Sequence, residues 1–271
     1  MANHQHIELL KQSIGTWNKH KQRINRNLQR SPNPPHSPPS KLTWINLKEI
    51  DLSGADLKGI DLSGADLSGV NLIGADLSGA CLNTTNFEGA YLSNANLKGA
   101  YLSNTNLSEA LLKETNLSGA YLQKANLTKA TLTRSNLCAA NLRWANLCKA
   151  YLRGANLTNA NLRGANLKRA NFRSTNLKKA YLRDANLSRA TFRGANLSNA
   201  DLSQTLVLST NFTEAYLTGA CLENWSVNDI TQFSDAICHY IYLRNNEQQR
   251  CPRISTFLPG EFIQLLKQKP A

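Results

Sequence analysis

Long apolar stretches are missing from the chain: none approaches the roughly 18 residues that a membrane-spanning helix requires. The N-terminal residues carry His, Gln and Glu and lack the apolar core of a secretory signal peptide. Together these two absences predict a cytoplasmic protein without a transmembrane segment.

Histidine is scarce, and all five histidines lie outside residues 45–222, the repetitive part of the chain. That part therefore offers no imidazole for acid–base catalysis, and no glycine-rich phosphate loop precedes a helical pattern. His4, His6 and His20 lack the converging ligands and supporting shell that a metal site needs. We predict no catalytic residue, no metal site and no cofactor.

Thirty-six consecutive blocks of five residues begin within residues 45–222, without an insertion. The third residue of the block is Leu in 31 blocks, Phe in four and Val in one, and the first residue is Ala in 25 blocks. A fixed short period of this kind predicts a solenoid, in which each coil contacts only its neighbours.

A period of five residues matches neither the α-helical period of about 3.6 nor the strand period of about 2. It fits a chain that turns in every block, so that the first and third residues point inward. Of the 15 glycines, 13 occupy the fifth position, where a turn needs unusual backbone angles. Later blocks carry Lys, Arg or Asn at that position, and we expect their turns not to require glycine.

The second residue of the block indicates how many sides one coil has. It is Asn or Asp in 16 of the 18 blocks centred on residues ending in 7, but only in 8 of the 18 centred on residues ending in 2. This ten-residue alternation requires an even number of sides, and four sides are the fewest that enclose a core. The predicted rod has about nine coils and a length of roughly 43 Å.

The repeated block resembles that of the pentapeptide-repeat family, and the resemblance covers about two thirds of the chain. Two examples are Ala55-Asp56-Leu57-Lys58-Gly59 and Ala165-Asn166-Leu167-Lys168-Arg169. The segment from His6 to Asn18 and the tail around residues 250–262 resemble the flanks of cyanobacterial members. The resemblance implies an all-β solenoid, a right-handed quadrilateral β-helix, here with an N-terminal α-helix and a small C-terminal cap.

Four segments follow one another along the chain. The first segment, residues 1–30, has apolar residues at helical spacing and six basic residues against Glu8 alone. It either covers the open edge of the first coil or docks on a partner or membrane. The predicted segments are an amphipathic helix at 1–30, a proline-rich linker at 31–44, the β-helix at 45–229 and the cap at 230–271.

In the predicted cap, the five-residue frame slips by one residue after Val227 and resumes at Ala236-Ile237-Cys238. Aromatic residues gather there and are expected to cover the last coil, whose bare edge would otherwise recruit another strand. A short helix is expected from Glu261 to Lys267.

The six cysteines do not predict a disulfide framework. On a twenty-residue coil, Cys138 and Cys148 point outward from opposite sides, while Cys81 and Cys221 lie seven coils apart, roughly 34 Å. Free thiols suit a reducing compartment. A bridge between the two cysteines of the cap stays open at this point.

Charge is distributed unevenly along the repeat. Residues 45–133 contain six basic and nine acidic residues, whereas residues 134–193 contain thirteen basic residues against Asp184 alone. The second segment therefore carries nearly all of the net charge of +13.

Within the basic segment, arginine recurs every ten residues. On a twenty-residue coil these arginines form two columns on opposite sides, with like charges on neighbouring rungs, which is unfavourable. They are either a solvated surface or a binding site for an anionic partner. The predicted site residues are Arg143, Arg153, Arg163, Arg173, Arg183 and Arg193.

These features favour a non-catalytic scaffold that presents rigid faces to a protein partner, for which an acidic protein is the candidate. The alternative is a binder of nucleic acid or another anionic surface through the arginine columns. The family resemblance also implies a third function, since some members imitate DNA and bind type II topoisomerases, but that function needs a negative surface. It further implies that a homodimer through the C-terminal end is possible.

Overall fold

From residue 46 onward the chain coils around four sides. Parallel bridges join the second residues of blocks that lie twenty residues apart, and a two-residue turn follows in each block. We number the sides faces 1 to 4 and define them by the first residues of their ladders, Asn46, Asp51, Asp56 and Asp61 in that order. The computed structural model describes residues 10, 13, 15–19, 22, 46–244, 247–258 and 260–268.

The corners adopt one conformation throughout, so corners without glycine form the same turn as corners with glycine. The fifth residue has a positive φ whether it is Gly119 at 65°, Lys149 at 60° or Arg169 at 61°. Left-handed backbone costs a residue with a side chain roughly 1–2 kcal/mol. It is retained because the fifth N–H donates to a carbonyl of the next coil, as from Lys149 to Lys168 at 3.0 Å.

The core contains the third and first residues of the blocks, as the pattern predicts. Third-position side chains from Leu62 to Leu222 are all 0% exposed. Under face 2 the column continues in phenylalanines, with ring centroids 4.7 Å apart between Phe172 and Phe192 and 5.3 Å apart between Phe192 and Phe212. Neighbouring rungs are therefore about 5 Å apart, the spacing of paired strands.

Asparagine ladders hold the walls of faces 1 and 3. Asn106 donates from Nδ2 to Oδ1 of Asn86 at 2.9 Å, and Asn126 donates in the same way to Asn106 at 3.1 Å. Each Oδ1 also accepts the backbone N–H two residues on, as Asn106 does from Ser108 at 3.2 Å. These side chains are bound to the wall itself, and so is Asp66, which accepts from Asn86 at 3.0 Å.

Helical residues near the N-terminus cover the first coil. Trp17, only 1% exposed, donates from Nε1 to the backbone carbonyl of Asp61 at 2.7 Å. The side chain of Asn18 accepts the N–H of Asp61 at 2.9 Å and donates to the carbonyl of Gly59 at 3.2 Å. Residues 10, 15–19 and 22 are helical and Ser13 is not; the other residues of the predicted helix and the linker lie outside the described residues.

A three-stranded sheet closes the other end. It consists of β1 (Ala220–Cys221), β2 (Ile241–Arg244) and β3 (Gln248–Cys251), in the order β1-β2-β3. β2 pairs parallel with β1, as one more rung of face 4, and antiparallel with β3. The hairpin of β2 and β3 was not predicted.

The ladder spacing changes once, just before this sheet. Asn211 bridges to Gln232 and Tyr216 to Ile237, each twenty-one residues on instead of twenty. This is the one-residue slip expected after Val227.

Helix α1 (Glu261–Gln268) packs on the sheet end of the core, where a short helix was expected. Phe262 and Leu266 are its buried residues, at 4% and 7% exposure. The Phe262 ring stands edge-on to Phe233, with centroids 6.1 Å apart, and Phe233 in turn stacks on Phe212. The aromatic column under face 2 is thus continued into the cap.

All six cysteines are free thiols in the structure. Burial raises the pKa of the Cys238 thiol to about 12 and also raises that of Cys221. Within the described ranges, no helix is long and apolar enough to span a lipid bilayer.

Candidate interface for an anionic partner

The six predicted arginines lie on two opposite faces. Each is the fourth residue of its block, in the turn, and neighbours in a column are one rung apart because their blocks are bridged. The face 2 column consists of Arg153, Arg173 and Arg193, and the face 4 column of Arg143, Arg163 and Arg183.

On face 4, one carboxylate interacts with two of the three arginines. Oδ2 of Asp184 lies 3.2 Å from Nε of Arg163 and 3.7 Å from Nε of Arg183. Arg183 also donates from Nε to Oε1 of Gln204 at 3.3 Å. One of the three positive charges of this column is therefore compensated by an ion pair.

The third arginine of face 4 lies against an aromatic ring. Cζ of Arg143 is 4.3 Å from the ring centroid of Trp144, a cation–π distance. The indole lies over Gly164, where an added Cβ would come within 2.6 Å of Cδ1. Nε of Arg143 is buried without a hydrogen-bond partner among the described residues.

A groove of about 480 Å³ opens on face 4 beside the C-terminal sheet. Arg163 and Arg183 line it together with Asp201 and Glu247. Since acidic and basic groups are balanced there, the groove does not favour an anionic ligand.

On face 2, only the last arginine of the column has an acidic partner. Arg193 donates from Nη2 to Oε1 of Glu214 at 2.8 Å. This hydrogen bond raises the pKa of Arg193 and lowers that of Glu214. Arg153 and Arg173 are exposed, and neither forms an ion pair with any residue that the structure describes.

A second basic column, absent from the predicted site, borders face 2 on its other side. Its members are Lys149, Arg169 and Arg189, the fifth residues of face 1, at the corner that leads into face 2. All three are exposed and form no ion pair within the described part of the chain. The sequence does carry a signal for this column, because a basic residue replaces glycine at the corner every twenty residues. The ten-residue recurrence of arginine masked that signal.

The two columns enclose a strip of bridge residues. We call the five unpaired cations the face 2 patch. They are Lys149, Arg153, Arg169, Arg173 and Arg189. The strip between the columns consists of Tyr151, Asn171 and Thr191.

Acidic residues border the patch at both ends of the rod axis. Towards the N-terminus, Lys129 pairs with Glu109 at 2.7 Å and Arg134 with Glu114 at 3.6 Å. Towards the C-terminus, Glu214 pairs with Arg193, the last arginine of the face 2 column. The unpaired charge is therefore confined to about three rungs.

The described residues of the site offer exposed cations for charge recognition. No group of three or more His, Cys, Asp or Glu among them could hold a metal ion. The acidic side chains of the first coils accept hydrogen bonds from the wall, as Asp51 does from the Ser53 N–H at 2.9 Å.

A model of the family described as Pentapeptide repeats matches the chain in eight overlapping copies. They cover residues 45–83, 73–108, 100–137, 115–154, 140–178, 150–189, 165–204 and 192–224. None of the curated proteins matches the chain.

Several solved structures are similar to the chain. HetL, a pentapeptide repeat protein involved in heterocyst differentiation regulation in the cyanobacterium Nostoc, is 32% identical over 72% of this chain and 88% of its own, with a TM-score of 0.28. A thylakoid-lumen pentapeptide repeat protein of Arabidopsis thaliana is 27% identical over 44% of this chain and 65% of its own, with a TM-score of 0.29. QnrB1, a plasmid-mediated fluoroquinolone resistance protein, is 21% identical over 71% of this chain and 91% of its own, with a TM-score of 0.38.

Proposed function

The chain belongs to the pentapeptide-repeat family, and from this premise we propose that it is a non-catalytic scaffold that binds a macromolecular partner on the faces of its β-helix. The foremost partner is an acidic protein. The finer geometry expected from the sequence, a right-handed rod of about nine coils, is part of the same proposal.

The face 2 patch is the observation that supports this proposal. Its cations are exposed and unpaired within the described residues, and folding does not need them. Several equivalent corners elsewhere carry Gly or Asn, and several equivalent turns carry Ser. Like charges on neighbouring rungs repel each other and so destabilise the fold, and neutral residues at these positions would avoid this repulsion. An anionic partner would compensate the charges and remove the repulsion.

Binding to anionic probes tests the proposal. The full chain is titrated, by fluorescence anisotropy over a range of salt concentrations, with labelled poly-glutamate and labelled duplex DNA. Binding that weakens with salt and in an Arg153→Ser/Arg173→Ser/Arg193→Ser variant supports the scaffold. A chain that binds neither probe at low salt contradicts it.

A matched variant separates position from total charge. The variant Lys98→Ser/Lys178→Ser/Lys179→Asn removes an equal number of positive charges, three, from face 3. If it weakens binding as much as the face 2 variant, the interaction follows net charge alone, and the assignment to the arginine columns is wrong.

The second candidate function is binding of nucleic acid or an anionic membrane through the same arginines. It is favoured by the concentration of thirteen basic residues in sixty residues of chain. A steep salt dependence with duplex DNA, together with weak binding to poly-glutamate, would identify it. Imitation of DNA at a topoisomerase fits poorly, because this surface has the charge of a DNA ligand and not that of DNA.

The compartment and the assembly state are further proposals. Six free thiols, one of them buried with a pKa of about 12, support a reducing, cytoplasmic location. A homodimer through the C-terminal end is tested by measuring the molar mass of the full chain in solution.

A further inference from the structure

We propose that the face 2 patch binds an acidic α-helix of a partner protein, lying lengthwise along the rod between the two basic columns. The inference rests on the proposed scaffold function and adds the shape and the chemistry of the partner's contact segment.

The spacing of charges along the rod favours a helix. Core rings directly beneath face 2 repeat at 4.7 and 5.3 Å, so cations of one column recur at about this distance. An α-helix has a pitch of about 5.4 Å, so carboxylates one turn apart meet successive rungs. Side chains on one face of an extended strand repeat only every ~6.6 Å, which falls out of register with the rungs sooner.

The distance across face 2 also suits a helix. From Lys149 to Arg153 the chain advances four residues, so the Cα atoms of the two columns are at most about 14 Å apart. An α-helix with its side chains is roughly 10–12 Å wide and can therefore contact both columns at once.

The strip between the columns is low enough to receive a helix. Asn171 is held to the wall, since its Oδ1 accepts the N–H of Arg173 at 3.1 Å. Thr191 accepts the N–H of Arg193 at 3.5 Å. Only Tyr151, 52% exposed, projects as a large side chain, and its ring can pack against an apolar residue of the helix.

The ion-paired borders, which add no net positive charge, favour a short partner over a continuous polyanion. A DNA duplex or a long acidic chain that follows the rod would pass from the patch onto Glu109 and Glu114, or onto Glu214. The patch spans two rung steps, about 10 Å, which corresponds to two turns of helix. Tyr151 is also the one aromatic residue in the strip, so the strip is no stacking platform for successive bases.

The probes for the test are two synthetic peptides and one duplex. The first peptide is alanine-rich and helical, with glutamates three and four residues apart along two flanks. The second peptide has the same glutamates and differs from the first by one proline in the middle, which breaks the helix. Duplex DNA is the third probe, and binding to the full chain is measured by fluorescence anisotropy.

The variant that tests the new column is Lys149→Asn/Arg169→Asn/Arg189→Asn. Asparagine tolerates the positive φ of these corners and occurs naturally at the corresponding corners of face 3, Asn159 and Asn199, so the variant should fold. Its circular dichroism spectrum and thermal midpoint are compared with those of the wild type. The face 3 variant with three lysines replaced is the matched control.

The expected result is binding of the helical peptide at least about tenfold tighter than that of the broken one. We expect a loss of about tenfold in the corner variant, the combined effect of three exposed charge contacts, and less than about threefold in the face 3 variant. Equal binding of the two peptides, or equal losses in the two variants, overturns the inference.

The remaining outcomes separate this inference from the proposed function. If the broken peptide binds through the face 2 cations while the helical peptide does not, the scaffold stands and the acidic helix is wrong. If only duplex DNA binds through these cations, the acidic helix is wrong and the nucleic-acid alternative replaces the acidic protein partner. If no anionic probe binds the full chain, both are wrong.

Discussion

The N-terminal and C-terminal parts of the repeat share one backbone and differ in charge. Residues 45–133 carry six basic and nine acidic residues, and residues 134–193 carry thirteen basic and one acidic. The bridges nevertheless continue through both at a spacing of twenty residues. Inward residues therefore determine the coil, and outward residues are available for recognition.

The two parts also differ at the corners. Glycine occupies the fifth position nine times in residues 45–133 but only four times in residues 134–222. The corner conformation is the same, so the later part places residues with side chains in left-handed backbone more often. Cations at these corners, such as Arg169, are thus present despite a local conformational cost.

The largest expected effect tests whether the core is equivalent in both parts. Leu92→Ala and Leu152→Ala remove fully buried side chains from the same face, three rungs apart. Each should lower the free energy of unfolding by about 2–5 kcal/mol, by similar amounts. Denaturant titration measures both, and a much smaller loss at Leu152 would show that the basic part is less tightly packed.

Corner substitutions should change stability in opposite directions in the two parts. Gly119→Ala places a side chain at a φ of 65°, where space is free but the backbone is unfavourable, and should lower the free energy of unfolding by about 1 kcal/mol. Lys179→Gly relieves the same conformation at a φ of 58° and should raise it by a smaller amount. Thermal unfolding of both variants checks the signs, and a destabilising Lys179→Gly would contradict the account of the corners.

Acid should act mainly on the N-terminal part. Hydrogen bonds from the Ser78 side chain, then its N–H and Asn96, lower the pKa of Asp76 from 3.8 to about 2 despite some burial. Because the folded pKa is the lower one, the stabilisation is complete above about pH 4 and is lost as the pH falls towards 2.

The variant Asp76→Asn tests this effect, since asparagine occupies the equivalent position of the next rung at Asn96. Its free energy of unfolding should fall less than that of the wild type between pH 5 and pH 2 in denaturant titrations. Identical pH dependence of the two proteins would count against a stabilising ionised Asp76.

The smallest effect is expected at the border of the patch. Arg193 forms an exposed ion pair with Glu214 and thereby lowers the pKa of that carboxylate. The substitution Arg193→Ser removes this ion pair. Exposed pairs contribute little, so the thermal midpoint should drop slightly at low salt and not at high salt. A large drop that persists in salt would mean that Arg193 has a packing role.

Much of the fold was predictable because the block itself encodes it. The buried third residues and the one-residue slip before Gln232 follow from the spacing of apolar residues, and the four sides follow from the alternation of Asn and Asp at the second position. The turn conformation at corners such as Lys149 could not be predicted in this way, because a residue with a side chain disfavours positive φ. Only the backbone hydrogen bond to the next coil enforces that conformation.

The candidate site was predictable only in part. The alternate placement of the arginines follows from counting, but the position of Asp184 between Arg163 and Arg183 depends on side-chain paths across a corner. The column of Lys149 and its neighbours became visible once face 1 and face 2 were known to meet there.

The sequence alone determined the period of the coil, its buried columns and the uneven charge, because each depends on spacing along the chain. The tertiary structure decided which cations stay unpaired and which side chains take the open backbone groups of Asp61, since those contacts join residues far apart in sequence. Distances across corners and between rungs depend on the path of the backbone, and that path exists only in the folded chain.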